Sequence, residues 1–334
     1  MSLARESDVA IYLRHHPVPH MGDPVRAVPL EPGRNVTRWR VEYPQGSVIL
    51  KSYRDDALQL ARSEVAGLTL MGTLGLAPTL ISMEQPPELA GSVVLIQEDV
   101  AGEPLSSRIT EESVLSWQTV LLTLHHLPPP PKTPESPTCS GVLPWWERTR
   151  RLWAECRGRY TAPAMRPLME ALAQLEAIVG VRVEVNRHLW LGASRRACHG
   201  QADPSKIVFT QQRLMLTDWT AFGVGDPAMD VTIATMRPAL SGMLDEHLLN
   251  VFLDGYTWGM RDLGDEGLSQ RIGILSSVMP FASAIEALAE GMDADPAERA
   301  RTIFIVRRAL DRVSRSLSVS IGSVEELVAP LSQR

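Results

Sequence analysis

Residues 199–230 read HGQADPSKIVFTQQRLMLTDWTAFGVGDPAMD, and the order of residue types in this stretch decides the fold. A polar loop runs from His199 to Lys206, an apolar triplet from Ile207 to Phe209, and a second apolar run from Leu214 to Thr217. That order predicts two short strands joined by a turn. The second strand ends on Asp218, which delivers a carboxylate to a sheet edge. Gly225-Asp226-Pro227 then reads as a helix start, with Asp226 as N-cap and Pro227 at the first helical position. A loop and a carboxylate presented at neighbouring strand ends can hold phosphates and a metal ion between them.

This pattern resembles the catalytic core of the aminoglycoside phosphotransferase and choline kinase family, whose fold is protein-kinase-like. The family loop reads His-Gly-Asp, four residues, then Asn; its metal strand reads Asp-Trp, followed by Gly-Asp-Pro-x-x-Asp. Here His199-Gly200 is kept, but Gln201 stands where the catalytic Asp belongs and Lys206 where the metal-binding Asn belongs. Asp218-Trp219 and Gly225 to Asp230 are intact. The resemblance implies an α+β, bilobal fold: an N-lobe with a small antiparallel β-sheet over 1–100, and a mainly helical C-lobe over 101–334. The C-lobe would carry the catalytic-like loop 199–206 and the metal strand 214–218. The resemblance also implies ATP, or another nucleoside triphosphate, with Mg²⁺ on Asp218.

Upstream, Trp39 to Tyr43 alternates apolar and polar residues, Pro44-Gln45-Gly46 turns the chain, and Val48 to Tyr53 returns, which predicts a hairpin with Lys51 on its second strand. A helix is expected next, capped by Asp55 or Asp56, with Leu58, Ala61, Val65, Leu68 and Met71 or Leu74 as its apolar stripe. Glu64 lies off the strongest apolar face. Alone, Lys51 and Glu64 read as a solvated lysine and a surface glutamate; by resemblance they are the pair that holds the α- and β-phosphates. Strands are expected at Thr79 to Met83 and Ser92 to Gln97. The following Gln97-Glu98-Asp99 run resembles the interlobe hinge that meets the adenine, so Gln97 and Asp99 join Lys51, Glu64 and Lys206 as nucleotide-site candidates. The loop at Gly33 offers a single glycine, which is no phosphate cradle. Residues 1–30 are expected to form a strand or short helix feeding the first sheet.

From Glu111 the periodicity is helical up to His125-His126-Leu127, where four prolines and the run to Pro137 predict an extended linker. Adjacent histidines point to different helix faces, so His125 and His126 make a poor metal pair and suit a core or solvated role. Trp145 to Arg159 interleaves tryptophans with arginines; it reads as an amphipathic helix with a charged outer face, or as a docking helix for an acidic ligand or partner. Helices are expected at Met165–Val179, Val181–Leu189, Val231–Met236, Asp245–Leu263, Leu268–Glu290, Pro296–Ser316 and from Ser323. The last third mixes carboxylates and arginines, and names no acceptor.

A net charge of −6 and a pI near 5.8 argue against nucleic acid as the main partner. No signal-peptide core opens the chain, no run is expected to span a bilayer, and Cys139, Cys156 and Cys198 lack metal spacing. The expectation is a cytoplasmic protein with reduced thiols. Lysine occurs only at 51, 132 and 206, every other basic residue being arginine, so an ammonium at two motif positions is notable.

Phosphoryl transfer needs the nucleotide positioned and the acceptor hydroxyl deprotonated. Gln201 can accept a hydrogen bond but cannot take a proton; loss of a general base costs ~10²–10⁴ in rate. Lys206 removes a metal ligand and adds a charge that replaces a second Mg²⁺ or simply fills the site. Asp203 lies two residues beyond the usual base; it serves either as a substitute base or as a turn former before Pro204. His199, Gln201 and Asp203 are therefore the catalytic-loop candidates. Two readings follow. One is a nucleotide-binding pseudokinase acting as a binding or scaffold component for a peptide or partner protein. The other is an active atypical phosphotransferase acting on a hydroxyl of a small molecule or of a peptide Ser or Thr, with Asp203 as base.

Overall fold

The structure is a computed structural model that describes residues 3–31, 35–89, 91–210, 213–291 and 295–333. The Gly33 loop and the turn residues Gln211 and Gln212 lie outside the described residues. The chain opens with α1 (Glu6–His15) and β1 (Arg26–Pro29), so both a helix and a strand precede the hairpin. The hairpin is β2 (Val36–Tyr43) and β3 (Gly46–Tyr53), in full antiparallel register from Val36↔Tyr53 to Tyr43↔Gly46. After α2 (Leu58–Gly72), β4 (Leu80–Glu84) and β5 (Val93–Glu98) complete a five-stranded antiparallel sheet in the order β1-β2-β3-β5-β4.

Period-two alternation divides this sheet into two unlike faces. Trp39, Val41, Val48, Leu50, Val94 and Ile96 bury one face beneath Val9, Tyr12 and Leu13 of α1. Val36, Tyr53, Val93 and Leu95 share a core with Ala61, Leu68 and Met71 of α2 on the other. Lys51 pairs with Arg38 and with Leu95 in register, so all three project from the α2 side.

Two details of α2 depart from the sequence expectation. Asp55 and Asp56 form a 3₁₀ turn with Ala57, and the helix proper begins at Leu58 without a side-chain cap. The inward face carries Ser63, Glu64 and Gly67 as well as the apolar stripe, whereas Leu74 is 48% exposed. The expected stripe follows hydrophobicity, but this helix also turns polar residues inward.

The helical part contains α3 (Glu111–His126), α4 (Val142–Arg159), α5 (Arg166–Val185) and α6 (His188–Leu191). Helix α5 runs unbroken through Gly180, so the two helices expected there are largely one. On α4, Trp146, Trp153 and Cys156 are buried while Arg150, Arg151, Arg157 and Arg159 face outward, the amphipathic arrangement. The proline-rich segment after α3 is not a free spacer. Ser136 N–H donates to Val224 O at 3.0 Å, Val224 N–H to Pro134 O at 2.8 Å and Asp226 N–H to Cys139 O at 2.8 Å, so it is laid along the catalytic-like segment.

That segment supplies β6 (Glu103–Pro104), β7 (Arg196–Cys198), β8 (Ile207–Phe209), β9 (Leu214–Leu216) and β10 (Gly223–Gly225), arranged as a three-stranded β6-β8-β9 sheet and a β7-β10 pair. Asp226 caps α7 (Pro227–Ser241) by accepting Ala228 N–H at 2.9 Å, as the motif predicts. Beyond it lie α8 (Glu246–Gly259), α9 (Leu268–Gly291), α10 (Pro296–Leu317) and α11 (Val324–Val328). Against expectation, residues 268–290 of α9 are long and apolar enough to cross a membrane, with mean hydropathy 1.6 over their most apolar 18 residues. Two thirds of that stretch is buried in the fold, packed against α4, α5, α7 and α10, so its hydrophobicity is used as core. The main core cluster includes Leu68 and Leu95 of the sheet region together with Trp117, Trp219 and Phe281 of the helical part.

Helix α2 meets the Asp218–Trp219 turn at Gly67, where an added Cβ would lie 2.4 Å from the Trp219 ring. Gly67→Ala is therefore expected to destabilise the protein by about 1–3 kcal/mol through overpacking. Urea denaturation reads this directly, and an unchanged midpoint would mean that α2 is not seated on Trp219.

Candidate functional site

The geometry is organised by Asp230, a fully buried carboxylate on the first turn of α7. It accepts His199 N–H at 2.7 Å, Gly200 N–H at 2.8 Å and the Nε2–H of His125 at 3.1 Å. Tyr256 OH reaches the other ring nitrogen of His125 at 2.5 Å. Burial pushes the Asp230 carboxyl up, but the hydrogen bond and charge of His125 bring it below its ordinary value. Gly200 has φ +84°, and a Cβ there would meet Thr138 Oγ1 at 2.4 Å and Ala221 O at 2.7 Å, so the loop requires glycine. His125, Cys198 and Asp230 bring possible ligand atoms within 4.8 Å of one another. Three N–H donors already occupy the carboxylate, which makes this a hydrogen-bonded core.

His199 is buried, and both ring nitrogens are used: Nε2–H donates to Thr217 O at 3.0 Å and Nδ1 accepts Gln201 N–H at 3.3 Å. Its ring meets Trp219 edge-on. The ring braces the loop against the Asp218 strand. Gln201, which the resemblance sets at the family's base position, is half-buried. The Asp203 carboxylate accepts Ser205 N–H at 2.9 Å and Ser205 Oγ–H at 2.5 Å, capping the 3₁₀ turn Pro204–Lys206. Of its two sequence roles, the turn former is the one this geometry displays. Asp203 also lines a cavity of about 520 Å³ with Ser205, Arg237, Glu286 and Arg301.

On β3 and α2, Lys51 Nζ contacts Glu64 Oε1, and Tyr53 OH contacts Glu64 Oε2. Lys51 is 4% exposed and Glu64 fully buried, which excludes the solvated reading of this pair. Asp218 sits in the left-handed region at φ +63°, ψ +66°, a strained conformation for a non-glycine residue that the packing of Trp219 sustains. Lys206 Nζ lies 3.0 Å from Asp218 Oδ2; Arg38 Nη2 lies 3.5 Å and Thr220 Oγ1 3.0 Å from Oδ1. Burial pushes the Asp218 carboxyl up, but Lys51, Lys206 and Arg38 together hold it well below the carboxylate range. Lys51, Glu64, Lys206 and Asp218 therefore converge.

The hinge candidates divide. Gln97 is 4% exposed, registers beside Ile49 two residues from Lys51, and its Oε1 is buried with no hydrogen-bond partner among the described residues. Asp99 is held by Arg40 Nε at 2.7 Å and Ser47 Oγ at 2.6 Å, tying the hinge to the β2-β3 hairpin. Two participants escaped the sequence reading. Arg38 reaches Asp218 because it registers opposite Lys51, a signal that was present in the alternation of β2. Arg271, 1% exposed, clamps the Asp226 carboxylate at 3.0 and 3.1 Å and that of Asp265 at 2.9 and 2.7 Å, and nothing local marks it.

Mg²⁺ takes near-octahedral oxygen ligands at about 2.0–2.1 Å. Asp218 offers a carboxylate, but both of its oxygens already meet protein cations, and position 206 supplies an ammonium with no lone pair. This donor set does not fit the ion.

Compared with known protein families, residues 26–264 match the one described as the phosphotransferase enzyme family. A sequence comparison with curated proteins finds no match. Among solved structures, a choline kinase from Cryptosporidium parvum Iowa II is similar at TM-score 0.60 and 12% identity, over 98% of this chain and 99% of that one. The choline kinase LicA from Streptococcus pneumoniae is similar at 0.57 and 15%, over 92% and 98%. A spectinomycin phosphotransferase in complex with ADP and its antibiotic is similar at 0.56 and 12%, over the whole of both chains. At these identities the likeness establishes the fold, a kinase-like bilobal architecture.

Burial pushes the His199 imidazole below its ordinary 6.5, with Asp230 opposing. The unfolded chain then binds more protons below that value, so the His199 contribution to stability is complete above it and is lost as pH falls. The depressed carboxyls of Asp218 and Asp230 act in the same direction only below about pH 4. Between pH 7 and 5, the wild type is expected to lose more denaturation free energy than His199→Asn. Parallel curves for the two proteins would contradict the buried neutral imidazole.

Proposed function

The chain belongs to the phosphotransferase enzyme family, and on that footing we propose that it binds a nucleoside triphosphate but lacks the base for efficient transfer. The observation that carries this reading is the clustering of Lys51, Glu64 and Asp218, with Lys51 touching Glu64 and lowering the Asp218 carboxyl, while the base position holds Gln201. The Gln97 amide oxygen, buried and without a partner among the described residues, supports a ligand beside β5, since such an atom costs free energy unless something pairs with it. A neutral amide at 201 orients a hydroxyl without deprotonating it. The protein then acts as a binding or scaffold component, its partner being a small molecule, a peptide or another protein. A cytoplasmic setting, where ATP is plentiful and the three buried cysteines stay reduced, accords with this role.

The alternative, an active transferase with Asp203 as base, has less support because that carboxylate is engaged with Ser205. In its favour, Asp203 lines the 520 Å³ cavity, a place for an acceptor. The cavity wall sets the carboxylates of Asp203, Glu286, Glu290 and Glu298 against Arg237 and Arg301, a balance that favours a cationic acceptor.

The two readings separate by experiment. ATP at 100 times its dissociation constant should add about 2.7 kcal/mol of stability, visible as a thermal shift. Mass-shift assays with choline, ethanolamine and spectinomycin as acceptors should show transfer ~10²–10⁴ below enzyme-like rates. Gln201→Asp should raise that rate, and Asp203→Asn should leave it unchanged. Enzyme-like turnover that Asp203→Asn abolishes would establish the alternative instead.

A further inference from the structure

The cation arrangement around Asp218 goes beyond the identity of the missing base. Lys206 meets Oδ2 at 3.0 Å, and Arg38 approaches Oδ1, which also accepts from Thr220. The carboxylate that would receive a metal is thus already neutralised by side chains of the chain itself. An incoming dication would have to separate Lys206 from Oδ2, and the freed ammonium would remain close to it. The Lys206 backbone cannot withdraw: its N–H donates to Asp203 O at 2.9 Å, and its O accepts from Thr217 N–H at 2.8 Å and Oγ1–H at 3.0 Å.

The same groups form a seat for phosphates. Arg38, Lys51 and Lys206 face the two carboxylates Glu64 and Asp218, so the cluster carries a net positive charge before any ligand arrives. Arg38 Nε is buried and has no partner among the described residues, which leaves a charged donor available for an anionic oxygen. Lysine is used at only three positions in a chain with 33 basic residues, and two of the three lie here. A compact ammonium reproduces the point charge of an ion more closely than the planar guanidinium used elsewhere.

We propose that this cleft binds its nucleoside triphosphate free of divalent cation, with the Lys206 ammonium taking the electrostatic place of the bridging metal. The inference rests on the nucleotide-binding reading above and adds the ionic form of the ligand. Mg²⁺ complexed to the nucleotide lowers its negative charge and competes with Lys206 for Asp218, so it weakens binding or leaves it unchanged.

The test is calorimetric titration of the full chain with ATP, in excess EDTA and in excess Mg²⁺. Wild type is expected to bind in EDTA at least as tightly as in Mg²⁺, a comparison that needs no variant. Lys206→Asn should weaken EDTA binding roughly tenfold or more, the scale of a lost charge-assisted contact, and should recover with Mg²⁺. Asp218→Asn should bind in EDTA at least as tightly as wild type, because it removes a carboxylate that repels phosphates. Wild-type binding that requires Mg²⁺, or loss of EDTA binding in a folded Asp218→Asn protein, would overturn this inference and leave the nucleotide reading standing. An absence of binding in both buffers would overturn both.

Discussion

A single buried carboxylate fixes the loop on which the site depends. Asp230 accepts two consecutive backbone N–H groups, those of His199 and Gly200, and so holds the start of the loop against the first turn of α7. Its contact with His125, and through that ring with Tyr256, extends the grip to α3 and α8. A charge in so apolar a place persists only when its acceptor sites are filled, and the three N–H donors meet that requirement. The loop geometry thus follows from solvation of a buried anion more than from the loop's own sequence. Residues 201 and 206 can therefore differ from the family pattern while the frame persists.

The second constraint joins the sheet to that loop. Lys51 and Tyr53 lie on one face of β3 and both reach Glu64, the polar member of the inward face of α2. Three residues on, Gly67 lets Trp219 pack directly against the helix backbone, and Trp219 follows Asp218 in the chain. One helix therefore sets the distance between the lysine and the carboxylate. A change at this contact moves both halves of the site together, and the continuous core of Leu68, Leu95 and Trp219 allows little independent adjustment.

Much of this was legible in the sequence because the relevant signals are local. Alternation gave the hairpin that carries Lys51, and Asp226-Pro227 gave the start of α7; the inward role of Lys51 and the importance of His199 and Asp218 came from the family resemblance. What escaped depends on tertiary contacts. The alternation that turns Lys51 inward also turns Arg38 inward, but only pairing across the register brings Arg38 to Asp218. Arg271 comes from 45 residues beyond Asp226, and no pattern in either segment announces the pair. Glu64 lies off the apolar stripe, so hydrophobic periodicity placed it toward solvent; its partners Lys51 and Tyr53 are what make its burial tolerable. The proline-rich segment 128–137 read as a spacer because composition does not reveal that its backbone groups pair with Val224.

The two departures in the loop are best understood as one electrostatic change. The family pattern carries an aspartate and an asparagine at positions 201 and 206, a formal charge of −1; Gln201 and Lys206 carry +1. The difference of two units equals the charge of one divalent cation, and half of it lies at the position the family pattern gives to a metal ligand. Substituting a fixed charge for an exchangeable ion preserves the attraction for phosphates. It discards coordination, which is what orients a transferring phosphoryl group. On the reading proposed above, a loop altered in this way would keep the attraction for a triphosphate while giving up the proton acceptor and the metal ligand of the family pattern.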